Sequence, residues 1–152
     1  MSIVVEVVGE STDDVLEALN RLVPQLSSRA PALDHASLSA LVAWSGATLF
    51  VARRDAEVIG TLTLVVFAIP SGRRAWIEDV VVDESARGSG AGVALVRAAL
   101  EHAASLGVSE VDLTSRPSRE AANALYRKLG FVQRDTNVYR YFVESDLPSE
   151  SA

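Results

Sequence analysis

Hydrophobic residues recur along the chain with two different periods, and each period predicts its own kind of element. Residues 3–8 are rich in β-branched side chains and predict a strand. The next segment repeats apolar residues at helical spacing behind the capping residues Ser11 and Thr12. It therefore predicts an amphipathic helix, followed by a loop that Pro24 and Pro31 bracket.

The remaining pattern predicts alternating strands and helices. A second helix is expected at about 37–44, a long third at about 90–106 and a fourth at about 118–130. Further strands are expected at 48–52, 58–67, 75–82, 108–114, 131–135 and 138–143. The order β-α-α-β-β-β-α-β-α-β-β predicts an α/β (α+β) fold with one mixed, twisted sheet of about seven strands and four helices. We expect a single domain over residues 1–152, with residues 145–152 as a frayed tail.

Charge and composition narrow the range of functions. The net charge of −6 argues against a nucleic-acid partner, which would need a basic surface to neutralise phosphates. The chain has no cysteine, so thiolate nucleophiles and thiolate metal ligands are excluded. His35 and His102 lack the spacing of a metal motif, and we expect no bound metal. The first ten residues do not have the pattern of a signal peptide, and no apolar run could cross a bilayer, so we expect a cytoplasmic protein without a membrane partner.

A glycine-rich helix entry after the predicted strand 75–82 carries the candidate chemistry. Outward-pointing amides and the helix dipole at such an entry suit a pyrophosphate. A dinucleotide fingerprint that starts at Gly88 would need a glycine where Val93 stands, and no Lys-Ser/Thr pair follows as in a P-loop. The spacing that fits is Arg-x-x-Gly-x-Gly/Ala, with Arg87, Gly90 and Gly92.

This loop resembles the pyrophosphate-binding motif of the GNAT acyltransferase superfamily. The downstream block 123–131, Asn-Ala-Leu-Tyr-Arg-Lys-Leu-Gly-Phe, resembles a second block of that family, and the resemblance spans at least residues 48–143. It implies the GNAT acyl-CoA N-acyltransferase fold and acetyl-CoA (coenzyme A) as cosubstrate. The strand 77–82, Ile-Glu-Asp-Val-Val-Val, is also locally similar to that of glucosamine-6-phosphate N-acetyltransferases.

The resemblance assigns roles to individual residues. It implies that strand 75–82 splays from the strand after it, so that its backbone can bind the pantetheine arm and polarise the thioester carbonyl. It makes Tyr126 the proton donor to the departing thiolate. For the general base we favour Glu78, with Asp79 as the alternative, because the family often places a carboxylate on this strand. The residues expected to bind the cofactor are Val80, Val81, Val82, Arg87, Gly88, Ser89, Gly90, Ala91, Gly92, Asn123 and Tyr126.

The function that the resemblance implies is N-acetyl transfer to a primary amine of a small molecule or peptide. Without a cysteine to carry the acyl group, direct attack in a ternary complex is expected. An acidic protein suits a cationic amine, and small amines, amino sugars, antibiotics and peptide N-termini all stay open. A non-catalytic acyl-CoA-binding or regulatory module is the main alternative, and a nucleotide-binding protein ranks third. Edge strands near the C-terminus are compatible with a homodimer.

Overall fold

Within residues 2–143, five strands form one sheet in which spatial neighbours are also neighbours along the chain. Pairing is antiparallel from the first strand to the fourth, whereas the fifth strand runs parallel to the fourth. The computed structural model describes residues 2–143. The strands are β1 (Ile3–Val7), β2 (Ala47–Arg54), β3 (Glu57–Ile69), β4 (Gly72–Val82) and β5 (Val111–Asp112). The mixed sheet expected from the sequence is confirmed, with fewer strands.

Four helices accompany the sheet in the described part of the chain, in the predicted order. They are α1 (Asp13–Leu26), α2 (His35–Ala43), α3 (Ala91–Ser105) and α4 (Glu120–Lys128), and a 3₁₀ turn (Glu84–Ala86) lies between β4 and α3. None of these helices is both long enough and apolar enough to span a membrane. The α/β class predicted from the periodicity is therefore confirmed.

The chain divides into two compact units, of which the first ends at Leu113 and the second begins at Thr114. The first unit contains the whole sheet with α1, α2 and α3, and the second contains α4. The expectation of a single domain stays a prediction. The tail predicted at 145–152 lies outside the described residues.

Helices cover both faces of the sheet in the first unit. Leu49 and Val51 of β2 belong to a buried cluster with Leu22 of α1 and Leu38 of α2. The residue between them, Phe50, points the other way and meets the ring of His102 in α3 edge to face at 5.8 Å. Leu22 and Leu38 are fully buried, and each such side chain contributes about 2–3 kcal/mol to folding.

The prediction of strands at 131–135 and 138–143 is wrong, because residues 131–143 form no strand in the structure. The segment has the alternation and the β-branched and aromatic side chains of a strand, but these features indicate only a preference. A strand also needs a partner for its backbone, and this segment joins no ladder within residues 2–143. Tyr139 and Tyr141 are accordingly 87% and 88% exposed. The predicted count of about seven strands is therefore five over residues 2–143.

Helix α1 and strand β5 also differ from the prediction in where they end or begin. Helix α1 continues through Pro24 to Leu26, because a proline in the last turn removes a single helix hydrogen bond and the amide of Ser27 still closes the helix on Val23. Strand β5 is shorter than the predicted 108–114. The amide of Val108 donates to the carbonyl of Ala103 at 3.1 Å, so this residue terminates α3 and is not part of a strand.

Candidate active site

The edge of β4 that faces β5 is open over its second half. In the described part of the chain, strand β5 pairs only with Ala75 and Trp76, through Val111 and Asp112. Within residues 2–143, residues 77–82 have no strand partner on that edge. Their backbone groups there can pair with an extended ligand as if it were another strand. The pairing between β4 and β5 thus stops before the segment at which the sequence resemblance implies a splay.

A β-bulge interrupts the other edge of β4 at the same level. Thr63 of β3 pairs with Glu78 and Thr61 pairs with Val81, so a single β3 residue lies opposite both Asp79 and Val80. Asp79 adopts a φ of 50°, in the left-handed region that non-glycine residues rarely occupy. The bulge bends the strand and changes which way its side chains point.

The sequence predicts Glu78 and Asp79 on opposite faces of the strand, and Val81 on the face opposite to Val80 and Val82. Both residues are exposed at the surface, although the carboxyl of Glu78 is partly desolvated. Val81 is buried in the cluster that lines α1, whereas Val80 and Val82 are half-buried. An exposed, strained residue such as Asp79 is frequent where a strand presents its backbone to a ligand.

The carboxyl of Glu78 has a raised pKa. Partial burial is the main cause, and the neighbouring Asp79 carboxylate adds to it through charge repulsion. Both effects disfavour the charged form of Glu78, which increases its basicity once it is deprotonated. The position on β4, beside the open edge, and this raised pKa suit a proton acceptor.

The chain then turns from β4 into α3 through a tightly hydrogen-bonded loop. The amide of Asp83 donates to the carbonyl of Ile59 at 2.8 Å, which ends the β3–β4 ladder. The amide of Ala86 donates to the carbonyl of Asp83 at 2.8 Å, and the amide of Ser89 donates to the carbonyl of Ala86 at 3.2 Å. Ala86 is buried and anchors the loop. These bonds place residues 87–90 at the surface, directly before the helix.

Glycine is favoured at positions 88 and 90 by the backbone conformation, and not by a lack of space for a side chain. Their φ angles are 82° and 91°, and a Cβ built on either would meet no heavy atom of the protein within 4 Å. Glycine adopts this conformation without steric cost. The space above both residues is open to a ligand that approaches the backbone.

The N-terminus of α3 presents amides to that space. The hydroxyl of Ser89 accepts from the amide of Ala91 at 3.3 Å, and the helix proper starts with the bond from Ala94 to the carbonyl of Gly90 at 3.0 Å. The amides of Gly92 and Val93 have no carbonyl four residues earlier within the helix. Arg87, in the loop before the helix, is exposed. Positive potential from the helix end suits a phosphate group.

Tyr126 lies in the second unit, where its side chain is only 7% exposed. Burial raises the pKa of its phenol, and the charge of Arg119 opposes that shift in part. A phenol with a raised pKa stays protonated at neutral pH, so it can donate a proton.

Asn123 shares a helix face with Tyr126, as the spacing of three predicts. Its amide nitrogen Nδ2 donates to the carbonyls of Arg119 at 2.8 Å and Arg116 at 2.9 Å, with Ser115 Oγ at 3.3 Å. The resemblance to the family implies a contact from Asn123 to the cofactor arm. In the structure its Nδ2 group holds the loop before α4 in place, and the contact to the cofactor stays a prediction.

The structure therefore gathers the predicted site residues in two groups, one in each unit. Glu78 and the cofactor residues from Val80 to Gly92 follow one another along β4, the turn and the start of α3. Asn123 and Tyr126 lie on α4. The part of the chain that is described holds no cluster of three or more side chains suited to a metal ion.

Sequence reasoning missed two residues that contact the loop. Arg21 donates through Nε to Asp83 Oδ2 at 3.1 Å, and Gln25 Oε1 accepts from the amide of Glu84 at 3.1 Å. Both lie on α1, some sixty positions earlier in the chain, so no local pattern could reveal them. Asp83 could have been found, because an Asp two residues before a Ser is typical of a side-chain-stabilised turn.

Comparison with known proteins identifies the family. The family model described as "Acetyltransferase (GNAT) family" matches residues 14–131, well over half of the chain. The chain belongs to the GNAT acetyltransferase family. The match includes β4, the glycine turn and α4, so the candidate residues from Glu78 to Tyr126 all lie within the matched range.

Individual relatives agree with this family assignment. The chain is 39% identical over 71 residues to glucosamine 6-phosphate N-acetyltransferase 1 of Oryza sativa subsp. japonica, covering 47% of this chain and 41% of that protein. It is 34% identical over 106 residues to L-2,4-diaminobutyric acid acetyltransferase of Shouchella clausii, covering 68% and 58%. The matches thus span less than two thirds of these curated relatives.

Two solved structures of acetyltransferases share the fold of this GNAT chain. A Trypanosoma brucei acetyltransferase superposes with a TM-score of 0.75 at 26% identity, over 93% of this chain and all of the other. An aminoglycoside acetyltransferase from a soil metagenome superposes with a TM-score of 0.83 at 22% identity, over 94% and 97%, and at that identity it supports the fold alone.

Proposed function

We propose that this chain is an acyl-CoA-dependent N-acyltransferase that moves an acetyl group from acetyl-CoA to a primary amine of a small molecule or peptide. The observation that carries the proposal is the continuity of the site in the first unit. The open edge of β4 at 77–82 leads directly into the turn with Gly88 and Gly90 and then to the start of α3. These features in this order would fit an extended arm that ends in a diphosphate.

The chain's own groups fit such a ligand. The open backbone of Val80, Val81 and Val82 would pair with the pantetheine arm. Amides at the start of α3 would bind the pyrophosphate, and the left-handed glycines leave room for it. Arg87 is exposed beside the loop and would add a positive charge.

Three groups would carry out the proton and charge chemistry. Acetyl-CoA supplies a thioester, whose C–S bond breaks as the amine forms the new C–N bond. Glu78 would accept the proton that the amine loses, and Tyr126 would donate a proton to the leaving sulfur. A backbone amide on the open edge of β4 would hydrogen-bond to the thioester oxygen as charge develops there.

The acceptor is proposed to be a cationic amine. The chain carries a net charge of −6, and the carboxylates of Glu78 and Asp79 lie side by side at the open strand edge. Two relatives are named for amine substrates, glucosamine 6-phosphate and L-2,4-diaminobutyric acid, and both belong in the first panel of acceptors. A cytoplasmic location and a homodimer remain predictions.

Thermal denaturation tests the donor half of the proposal. A ligand that binds only the folded state raises the melting temperature. We expect acetyl-CoA and CoA to stabilise the protein, NAD and ATP not to do so, and Gly90→Glu to abolish the CoA effect. Absence of a shift with either CoA species, well above micromolar concentration, would overturn the proposal.

Release of free thiol with the amine panel tests the acceptor half. An enzyme releases CoA in step with acetylated product, whereas an acyl-CoA-binding module releases none. A protein that binds acetyl-CoA tightly but turns over no amine in a broad panel would support the binding module instead.

A further inference from the structure

Helix α1 is joined to the turn between β4 and α3 by two side chains. Arg21 donates through Nη2 to the carbonyl of Val58 at 2.7 Å and through Nε to Asp83 Oδ2 at 3.1 Å. One helical turn later, Gln25 Oε1 accepts from the amide of Glu84 at 3.1 Å. Consecutive residues of the turn, Asp83 and Glu84, are thus both bonded to the same helix.

Asp83 connects Arg21 to the rest of the loop through its own hydrogen bonds. Its Oδ2 atom accepts from Arg21, while its Oδ1 atom accepts from the amide and the hydroxyl of Ser85 at 3.2 and 3.1 Å. Its carbonyl accepts from the amide of Ala86. A charged partner strengthens such bonds and restricts the carboxylate to one orientation. Arg21 therefore orients the group that shapes the first turn of the loop.

Gln25 is itself held in position. Its Nε2 atom donates to the carbonyl of Arg21 at 3.2 Å, one turn earlier on α1. Since the amide of Glu84 can only donate, the atom that faces it must be the Gln25 oxygen. Both the oxygen and the nitrogen of the Gln25 side chain are therefore hydrogen-bonded, and the side chain connects the backbone of α1 to the backbone of the turn.

We propose that Arg21 and Gln25 are positioning residues for the pyrophosphate loop, so that α1 sets the affinity of the site for coenzyme A. The loop from Glu84 to Gly92 must hold several amides in one arrangement to bind an anion, and two of its residues have left-handed backbones. A loop that samples other arrangements binds in proportion to its competent fraction. The identity of the ligand rests on the function proposed above, whereas the ordering of the loop does not.

Matched variants separate this role from general stability. Arg21→Met keeps an unbranched stem and removes both hydrogen bonds, Arg21→Lys keeps the charge, and Gln25→Met removes the acceptor for Glu84. Glu17→Gln is the control, because Glu17 is an exposed residue on the same helix. Each protein is measured by hydrogen–deuterium exchange of residues 84–92 without ligand, by CoA titration calorimetry, and by KM and kcat for acetyl-CoA.

We expect faster exchange at 84–92 in Arg21→Met and Gln25→Met, with Arg21→Lys intermediate and Glu17→Gln unchanged. If the competent fraction of the loop falls to about a tenth, KM and Kd rise about tenfold while kcat stays within about twofold. A purely structural role predicts a lower melting temperature with unchanged KM and local exchange, and that result would overturn the proposal.

Two further outcomes are also decisive. If Arg21→Met does not fold, Gln25→Met, which changes one exposed side chain, decides in its place by the same exchange and KM criteria. If the wild-type protein binds no CoA, the proposed function fails, and the exchange measurement still decides whether α1 orders the loop.

Discussion

The ring of Tyr126 meets the ring of Phe131 edge to face, with centroids 5.7 Å apart, and the amide of Phe131 donates to the carbonyl of Tyr126 at 3.0 Å. Gly130 lies between them at the end of α4, with a φ of 100° and an amide bond to the carbonyl of Arg127 at 3.1 Å. This is the Schellman arrangement of a helix C-terminus, including its hydrophobic contact. The helix end thus holds the Tyr126 ring from one side.

Because that ring contact does not involve the hydroxyl, Tyr126→Phe tests proton donation with little effect on packing. We expect kcat to fall by about 10²–10⁴-fold, the range for loss of a general acid. The melting temperature should stay close to that of the wild type. Steady-state kinetics with acetyl-CoA and a working amine measure the effect, and wild-type turnover in the variant would remove Tyr126 from the mechanism.

The charge on Asp79 should control the pH at which Glu78 acts as a base. Burial first, and Asp79 second, raise the pKa of Glu78, and a base works only when deprotonated. Activity should therefore fall with acidification at a pH above the ordinary glutamate pKa. Asp79→Asn removes the repulsion, so the acid limb of kcat/KM should move to lower pH, whereas Glu78→Gln should abolish that limb. An acid limb that is the same in the wild type and Asp79→Asn would argue against Glu78.

Replacing Gly90 by alanine should destabilise the protein through the backbone alone. The added Cβ meets no atom within 4 Å, but a φ of 91° costs an L-residue about 1–2 kcal/mol. Gly9→Ala is the matched control, since its Cβ also meets no atom and its φ lies outside the positive region. Urea unfolding should show the loss for Gly90→Ala and little change for Gly9→Ala. Equal stabilities would indicate that the loop relaxes.

Asp83 should make the protein less stable in acid. Hydrogen bonds from Ser85 and the ion pair with Arg21 lower the pKa of its carboxyl, although desolvation partly opposes them. A carboxyl whose pKa is lower in the folded than in the unfolded state stabilises the fold at pH values above its unfolded-state pKa. This contribution is lost as the pH falls through its folded-state pKa. Asp83→Asn should therefore reduce the unfolding free energy at pH 7 and have a smaller effect near pH 3. Urea unfolding at both pH values measures this, and an equal loss at both would exclude the carboxylate charge as the cause.

The sequence alone determined the elements whose signals are local. Apolar periodicity and the glycine after it located α3 within one or two residues at each end, and the run of β-branched residues located β4. The motif of Arg87, Gly90 and Gly92 identified the family, because its residues follow one another at fixed spacing and need no tertiary contact to be recognised.

The tertiary structure decided everything that depends on a distant partner. Residues 131–143 have the composition of strands, yet they form none in the described chain, because a strand is completed by the backbone that pairs with it. The bulge at Asp79 depends on the register between β3 and β4, which placed both Glu78 and Asp79 at the surface. The bond between Arg21 and Asp83 joins residues that are 62 positions apart. Such contacts follow from how α1 packs on the sheet, and no local sequence pattern encodes that packing.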